Sequence, residues 1–551
     1  MGHPNPPPVN ATGILVMDSG IVSNHPLLEN AVGDEKPIAT KDRSKIEEDK
    51  PTDDVGHGTR VAGIALYGDV KECIDNKKFT PEIWIFSAKV MYAEKQPDGS
   101  VEAIYDPEEL LEHQLERAVR WIAGNYPTCK VINISFGNLN NRIASGRKQF
   151  NLSSLVDELA KKWKVVFVIS TGNYFGFNLN SYPNYFQDTA NDDVKIIDPA
   201  SSALALTVGS ITPPYGTEVR NPSDILSSPA KTLYPSPFTR VGPGYNGMIK
   251  PDLVEIGGNE ITGRHQPAPN IGGKIISLNR DFIRDGKLFN ADIGTSFSTP
   301  KISNCIARLW NKYPDFSANL IKSLVLSSAG IPDERPGYLQ DIKFSDTNEK
   351  LANLLNVYGY GVPSLDKASF SQNNRVLLIA DDRIKLDSIH LYQFFLPDEF
   401  INVKGHRQLL VTLVFDPLVN KNRIDYLGCI MEFHLFHSLQ IKEIEQCFKQ
   451  LKSDDMEAAL PESIKQKKIE LKPGGNLRKS GVHQKGIKAW GKRPGIDINK
   501  PLVIAIICKN KWIKDNNYLQ NYAIVVTAEH EKKIELYARI RQRNQERVRI
   551  K

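Results

Sequence analysis

Four short runs limit what this chain can fold into: GILVM (13–17), VINIS (131–135), VVFVIS (165–170) and ALALTVGS (203–210). Each is nearly continuous in apolar residues, rich in β-branched side chains and bounded by glycine or polar residues. A strand with one wet face alternates apolar and polar positions, whereas a near-continuous apolar strand is covered on both faces. Amphipathic stretches separate the runs. Leu111, Leu115, Ala118, Val119 and Ile122 share one helical stripe, and Leu152, Leu155, Val156 and Leu159 share another. Strands alternating with helices predict an α/β unit from residue 13 to about 330, built on a mainly parallel sheet flanked by helices.

After GYGVPSLDKA (359–368) the texture changes. RVLLIA, HLYQFFL, QLLVTLVF and YAIVVTAE read as strands between polar turns, and QIKEIEQCFKQLK as a lone helix. The 551 residues therefore divide into a unit over 1–370 and a β-rich, sandwich-like domain over 371–551. Within the second domain, 465–500 reads as a basic, lysine- and glycine-rich flexible insertion, and YARIRQRNQERVRIK as a basic tail. Segments 34–54 and 212–243 read as mobile surface loops.

Composition excludes several classes. At 40% hydrophobic and 24% charged residues the chain is globular, and no run of about 18 apolar residues suggests a membrane span. MGHPNPPPVN has no apolar core of a secretory signal, and Pro6 breaks the myristoylation pattern. The six cysteines are scattered without a CxxC, so buried free thiols in a reducing, cytoplasmic setting are expected, with no structural metal. Residues 451–551 hold 23 Lys and Arg against 11 Asp and Glu, a net +12, while the rest of the chain carries −6. That asymmetry marks either a basic docking surface or a solvated face. Only Trp490 and Trp512 interleave with the basic residues, which argues against nucleic acid as the partner.

Chemistry concentrates where the strands end. In DIGTSFSTPKIS (292–303), the stripe Ile302, Cys305, Ile306, Leu309, Trp310 starts a helix near Ser296, with Pro300 expected in its first turn. A serine there is a helix cap, or a nucleophile whose oxyanion meets free N–H groups. Asp18 ends GILVMD as an Asx turn or a catalytic carboxylate. His57 opens the small-residue helix of DVGHGTRVAGIAL. Asn173, closing VVFVISTGN, fixes a turn or donates an amide into a site.

Together MDSG, HGTRVAG, NISFG, STGN, IKPDLVEIGG and GTSFSTP, in this order, resemble the subtilisin-like serine protease family over residues 12–370. The resemblance implies an α/β subtilisin-like fold and serine endopeptidase activity. Ser296 is then the nucleophile, His57 the general base and acid, and Asp18 its orienting carboxylate. Asn173 and the Ser296 N–H form the oxyanion hole. Ser135, Phe136 and Gly137 match the substrate-binding strand, and Ser170, Thr171 and Gly172 the facing wall of the primary specificity pocket. The family often holds structural calcium, but no calcium motif is recognisable here, so no cofactor is expected. HPLL, HGTRVAGIALYGD, FSAKV and ITPP resemble a bacterial intracellular branch often encoded beside an AAA-type ATPase, which implies such a regulatory partner.

The chain departs from the family pattern at Phe297-Ser298-Thr299, where an aromatic ring is expected to narrow the leaving-group side. Only 17 residues precede Asp18, as expected of an intracellular branch without a long pro-segment, or of a fragment or processed form. The alternative function is a silenced or latent peptide-binding module on the same fold, with its basic C-terminal domain docking a protein or nucleic acid.

Overall fold

The structure is a computed structural model describing residues 3–41, 49–143, 148–187, 192–214, 228–261, 271–370, 374–450, 460–491, 497 and 500–532. Seven strands form its central sheet: β1 (Gly13–Asp18), β2 (Val32–Pro37), β3 (Trp84–Lys89), β4 (Cys129–Ile134), β5 (Val166–Ser170), β6 (Leu206–Ile211) and β7 (Leu253–Ile256). Their spatial order is β7-β6-β5-β4-β1-β3-β2, and every pairing is parallel. All six residues of β1 and all five of β5 are buried, as continuous apolar runs require.

Helices cover the sheet: α1 (His57–Tyr67), α2 (Leu111–Asn125), α3 (Asn151–Trp163), α4 (Thr295–Lys312) and α5 (Ala318–Ser328). The stripes read from the sequence are the inward faces of α2 and α3, where Leu115, Ala118, Val119, Ile122, Leu152, Val156 and Leu159 are buried. Every residue of α5 from Asn319 to Ser328 is buried, because both of its faces are covered.

What covers its far face is the C-terminal region. Strands β8 (Arg375–Lys385), β9 (Ser388–Phe394), β10 (Arg407–Phe415), β11 (Cys429–His437), β12 (His483–Trp490), β13 (Leu502–Asn510) and β14 (Leu519–His530) make two antiparallel sheets, β8-β14-β10-β12 and β9-β13-β11. The two-residue period sorts the side chains into layers. On β10, Leu409, Val411 and Leu413 join the core between the sheets, with Met431, Phe433, Leu435, Ile504 and Ile506 opposite. Val414, Ala523 and Val525 instead join the core containing Leu320, Leu324 and Val325 of α5. On the outer sheet, Val503, Ala505 and Ile507 pack against Ile441, Ile444 and Cys447 of α6 (Ile441–Gln450).

Three expectations need correction. The insertion expected over 465–500 is not flexible where it is described, residues 492–496 and 498–499 lying outside the described residues. It includes β12, which pairs with β10, and Lys485 is buried with its ammonium on the carbonyls of Leu326 and Ala329. Segment 34–54 begins inside edge strand β2, which pairs with β3. In 212–243, Phe238 and Val241 belong to the core, because Arg240 ties this stretch to the carbonyls of Asn173 and Lys195. Residues 42–48, 215–227 and the basic tail 537–551 lie outside the described residues. Among the described residues no helix is long and apolar enough to cross a membrane.

Candidate active site

The carboxyl ends of β1, β4 and β5 and the amino ends of α1 and α4 converge, as ligand sites in parallel α/β sheets do. Asp18, the last residue of β1, is fully buried. Its Oδ1 accepts from His57 Nδ1 at 2.8 Å and from the Ser19 N–H at 2.8 Å. Burial lowers the His57 pKa, but the Asp18 charge and hydrogen bond outweigh that, and the net shift is upward.

The His57 helix is locked to β1 by a carboxylate that the sequence reading overlooked. Asp53 Oδ1 accepts from the Val55 and Gly56 N–H groups and from Ser19 Oγ, while Oδ2 accepts from the Thr59 N–H and hydroxyl. Ser19 Oγ in turn accepts from the Gly58 N–H at 3.0 Å. The nearest sequence signal is the pair Asp53–Asp54 shortly before the helix in TDDVGHGT, although Gly56 rather than either aspartate is the N-cap.

Ser296 occupies the first turn of α4, where backbone N–H groups have no intrahelical partner. Its hydroxyl donates to the Ser135 carbonyl at 3.0 Å, and Ser135 Oγ donates to the Ser296 carbonyl at 3.1 Å. Pro300 explains the second bond. It stands at the sixth helical position rather than in the first turn as expected, so its missing N–H would have bonded Ser296 O. A relay supports this contact: Ser303 Oγ donates to Asn133 Oδ1, and Asn133 Nδ2 to Ser135 Oγ. Phe297 is buried, with its ring 5.7 Å from that of His57.

Asn173 is aimed by Thr295, whose N–H and hydroxyl both donate to its Oδ1 at 3.0 Å. The amide nitrogen is thereby turned toward the start of α4, and a Cβ on Gly294 would lie 3.2 Å from it. Beyond Ser135, Phe136 is buried edge-on against Tyr105, and Gly137 leads away from β4. Ser170 ends β5 and Thr171 and Gly172 follow it, all three buried, with the Thr171 N–H donating to Val208 O. All ten residues singled out from the sequence thus lie at this end of the sheet. The direct bonds among them link Asp18 to His57 and Ser135 to Ser296. Among the described residues no cluster of three or more His, Cys, Asp or Glu could hold a metal.

An aligned carboxylate–imidazole pair, a serine on an open helix turn and an aimed amide donor suit acyl transfer to a serine. The chain is similar in sequence to several known proteins. A protein of Sinorhizobium fredii, "Uncharacterized protein y4bN", is 30% identical over 433 residues, covering 75% of this chain and 95% of that protein. "Subtilisin-like protease SBT5.3" of Arabidopsis thaliana is 32% identical over 143 residues, 26% of this chain and 17% of that protein. Among solved structures, the epidermin leader peptide processing serine protease of Staphylococcus aureus covers 66% of this chain and 75% of its own, at 18% identity and a TM-score of 0.42. Residues 10–361 match the profile of the Subtilase family, so the chain belongs to that family and is a serine endopeptidase.

Proposed function

We propose that the protein hydrolyses peptide bonds through an Asp18–His57–Ser296 triad, with Asn173 Nδ2 and the Ser296 N–H as oxyanion hole. Ser296 Oγ attacks the scissile carbonyl as His57 Nε2 takes its proton. His57 then protonates the leaving amine, and water activated by the same ring releases the acyl group. Asp18 holds the ring with Nδ1 protonated and Nε2 facing the serine. The observation that carries this reading is the 2.8 Å bond between Asp18 Oδ1 and His57 Nδ1, in a family whose chemistry needs that pair. Peptide cleavage by the full chain and by Ser296→Ala, with fluorophosphonate labelling of Ser296, tests it. Unchanged cleavage in Ser296→Ala sinks the assignment.

One observation favours a latent resting form as a second reading: the Ser296 hydroxyl donates to Ser135 O, not to His57. The hydroxyl must turn from that carbonyl before attack, and apo sites often tighten only with substrate. We further infer a catalytic unit over 1–370 and a second unit over 371–551, since the family match stops at residue 361 and the antiparallel strands begin at Arg375. Cytoplasmic location rests on the family resemblance and on the scattered cysteines, and control by an AAA-type ATPase on the resemblance alone. Co-purification of such an ATPase with the full chain checks the second.

A further inference from the structure

The side chain of Ile197 fills the space between Gly137 and Gly172. If the scissile carbonyl sits between Ser296 Oγ and Asn173 Nδ2, the protease reading places the preceding substrate side chain between the segment after β4, Ser135–Gly137, and the segment closing β5, Ser170–Gly172. One methyl group spans that gap. A Cβ on Gly137 would lie 2.7 Å from Ile197 Cδ1, and a Cβ on Gly172 would lie 2.6 Å from the same atom. The methyl thus packs against both glycine backbones, and a bulky substrate group cannot enter beside it.

Ile197 is held where it is. It belongs to a two-residue strand, Ile197–Asp198, paired with Asn138–Arg142 just beyond Gly137. Asp198 is tied to α3, accepting from the Ser153 N–H at 2.9 Å and its hydroxyl at 2.6 Å. Behind Gly172, Arg240 Cδ closes the space at 3.1 Å from the same Cβ position, and its guanidinium is taken up by the carbonyls of Asn173, Asp193 and Lys195. Ile197 is 3% exposed, yet it is not a member of the three apolar clusters that form the cores. Its Cδ1 lies against the backbones of both Gly137 and Gly172.

Resting on the protease reading above, we propose that Ile197 restricts the enzyme to peptides with glycine, alanine or serine immediately before the scissile bond. Leucine, phenylalanine, lysine and arginine are excluded by volume. Acidic residues gain no cation, because the Arg240 guanidinium is committed to backbone.

The test is cleavage-site profiling of the full chain on a mixed peptide library, beside the Ile197→Gly and Ile197→Ala variants, with fluorophosphonate labelling of each. The wild type should cleave after small residues with kcat/KM about tenfold or more above matched Leu or Phe peptides. Ile197→Gly should raise the Phe-to-Ala ratio about tenfold or more, with Ile197→Ala intermediate. Efficient wild-type cleavage after bulky, basic or acidic residues overturns the proposal. So does an unchanged ratio in a variant that still labels. If neither variant labels, the wild-type profile alone decides. Absence of both labelling and cleavage in the wild type defeats the protease reading itself, and this inference with it.

Discussion

Ser135 and Ser296 exchange hydrogen bonds, the hydroxyl of each donating to the carbonyl of the other at 3.1 and 3.0 Å. The exchange ties the end of β4 to the first turn of α4, so the nucleophile's backbone is set by a residue from another element. Pro300 makes the tie necessary, because Ser296 O has no helical donor of its own. Ser135→Ala should leave that carbonyl unsatisfied and cost about 1–3 kcal/mol in denaturant unfolding. It should also lower kcat/KM about ten- to hundredfold through misplacement of Ser296. Pro300→Ala restores a donor, so it should cost the Ser135→Ala variant less than it costs the wild type. A double-mutant cycle that finds the two substitutions additive contradicts this account.

Asp53 should matter nearly as much as the residue it serves. Its carboxylate gathers three N–H groups and two hydroxyls at the start of α1. Asp53→Ala strands those donors in a buried place, and a loss of about 2–3 kcal/mol is expected. Activity should fall more than stability alone explains, because His57 opens the released helix. Gly58→Ala acts by collision: its Cβ would fall 2.0 Å from Gly20 O, backbone that cannot swing aside. Thermal unfolding with parallel fluorophosphonate labelling checks both. Full labelling of Asp53→Ala would show that His57 is positioned without it.

What the sequence made legible follows from where its signals are local. β1, β5 and the stripes of α2 and α3 are written in runs of ten or so residues, and burial bears them out. The triad candidates stand at element ends, which those runs locate. The rest depends on contacts distant in sequence. Ser135 meets Ser296 across 161 residues, and His483 meets Asp252 across 231. Lys485 falls in the stretch read as a flexible basic insertion and Lys250 in a motif read only for its resemblance, yet both are buried with their ammonium groups on backbone carbonyls.

The pH profile should carry the signature of His57. The base must be neutral to take the Ser296 proton, so kcat/KM should rise with pH through its pKa. Burial pulls that value down, while the Asp18 charge and hydrogen bond push it further up, so the acid limb should have its midpoint above the ordinary histidine value. Asp18→Asn should move the limb downward and lower kcat by about 10⁴ through the wrong tautomer. A limb that stays in place in Asp18→Asn would mean that some other group titrates.

A second aspartate–histidine pair predicts how acid acts on the whole molecule. His483 of β12 bonds Asp252 through Nδ1 at 2.8 Å, and Asp252 also takes the ammonium of Lys250 at 2.6 Å. The site joins the C-terminal sheet to the segment leading into β7. Burial pushes the His483 pKa down to about 4, against a partial upward pull from Asp252. Its Nε2 is buried without an acceptor among the described residues, so a second proton has nowhere to go. In the unfolded chain the ring titrates near 6.5, so between there and about 4 the unfolded state binds the extra proton. Stability should therefore be full above pH 6.5 and fall by up to about 3 kcal/mol as pH drops through that window. His483→Asn keeps a donor near Asp252 but cannot be protonated. It should be less stable than wild type at neutral pH, yet lose less on acidification. Urea unfolding of both proteins from pH 7.5 to pH 4.5 measures the two slopes, and parallel slopes would assign the acid sensitivity elsewhere.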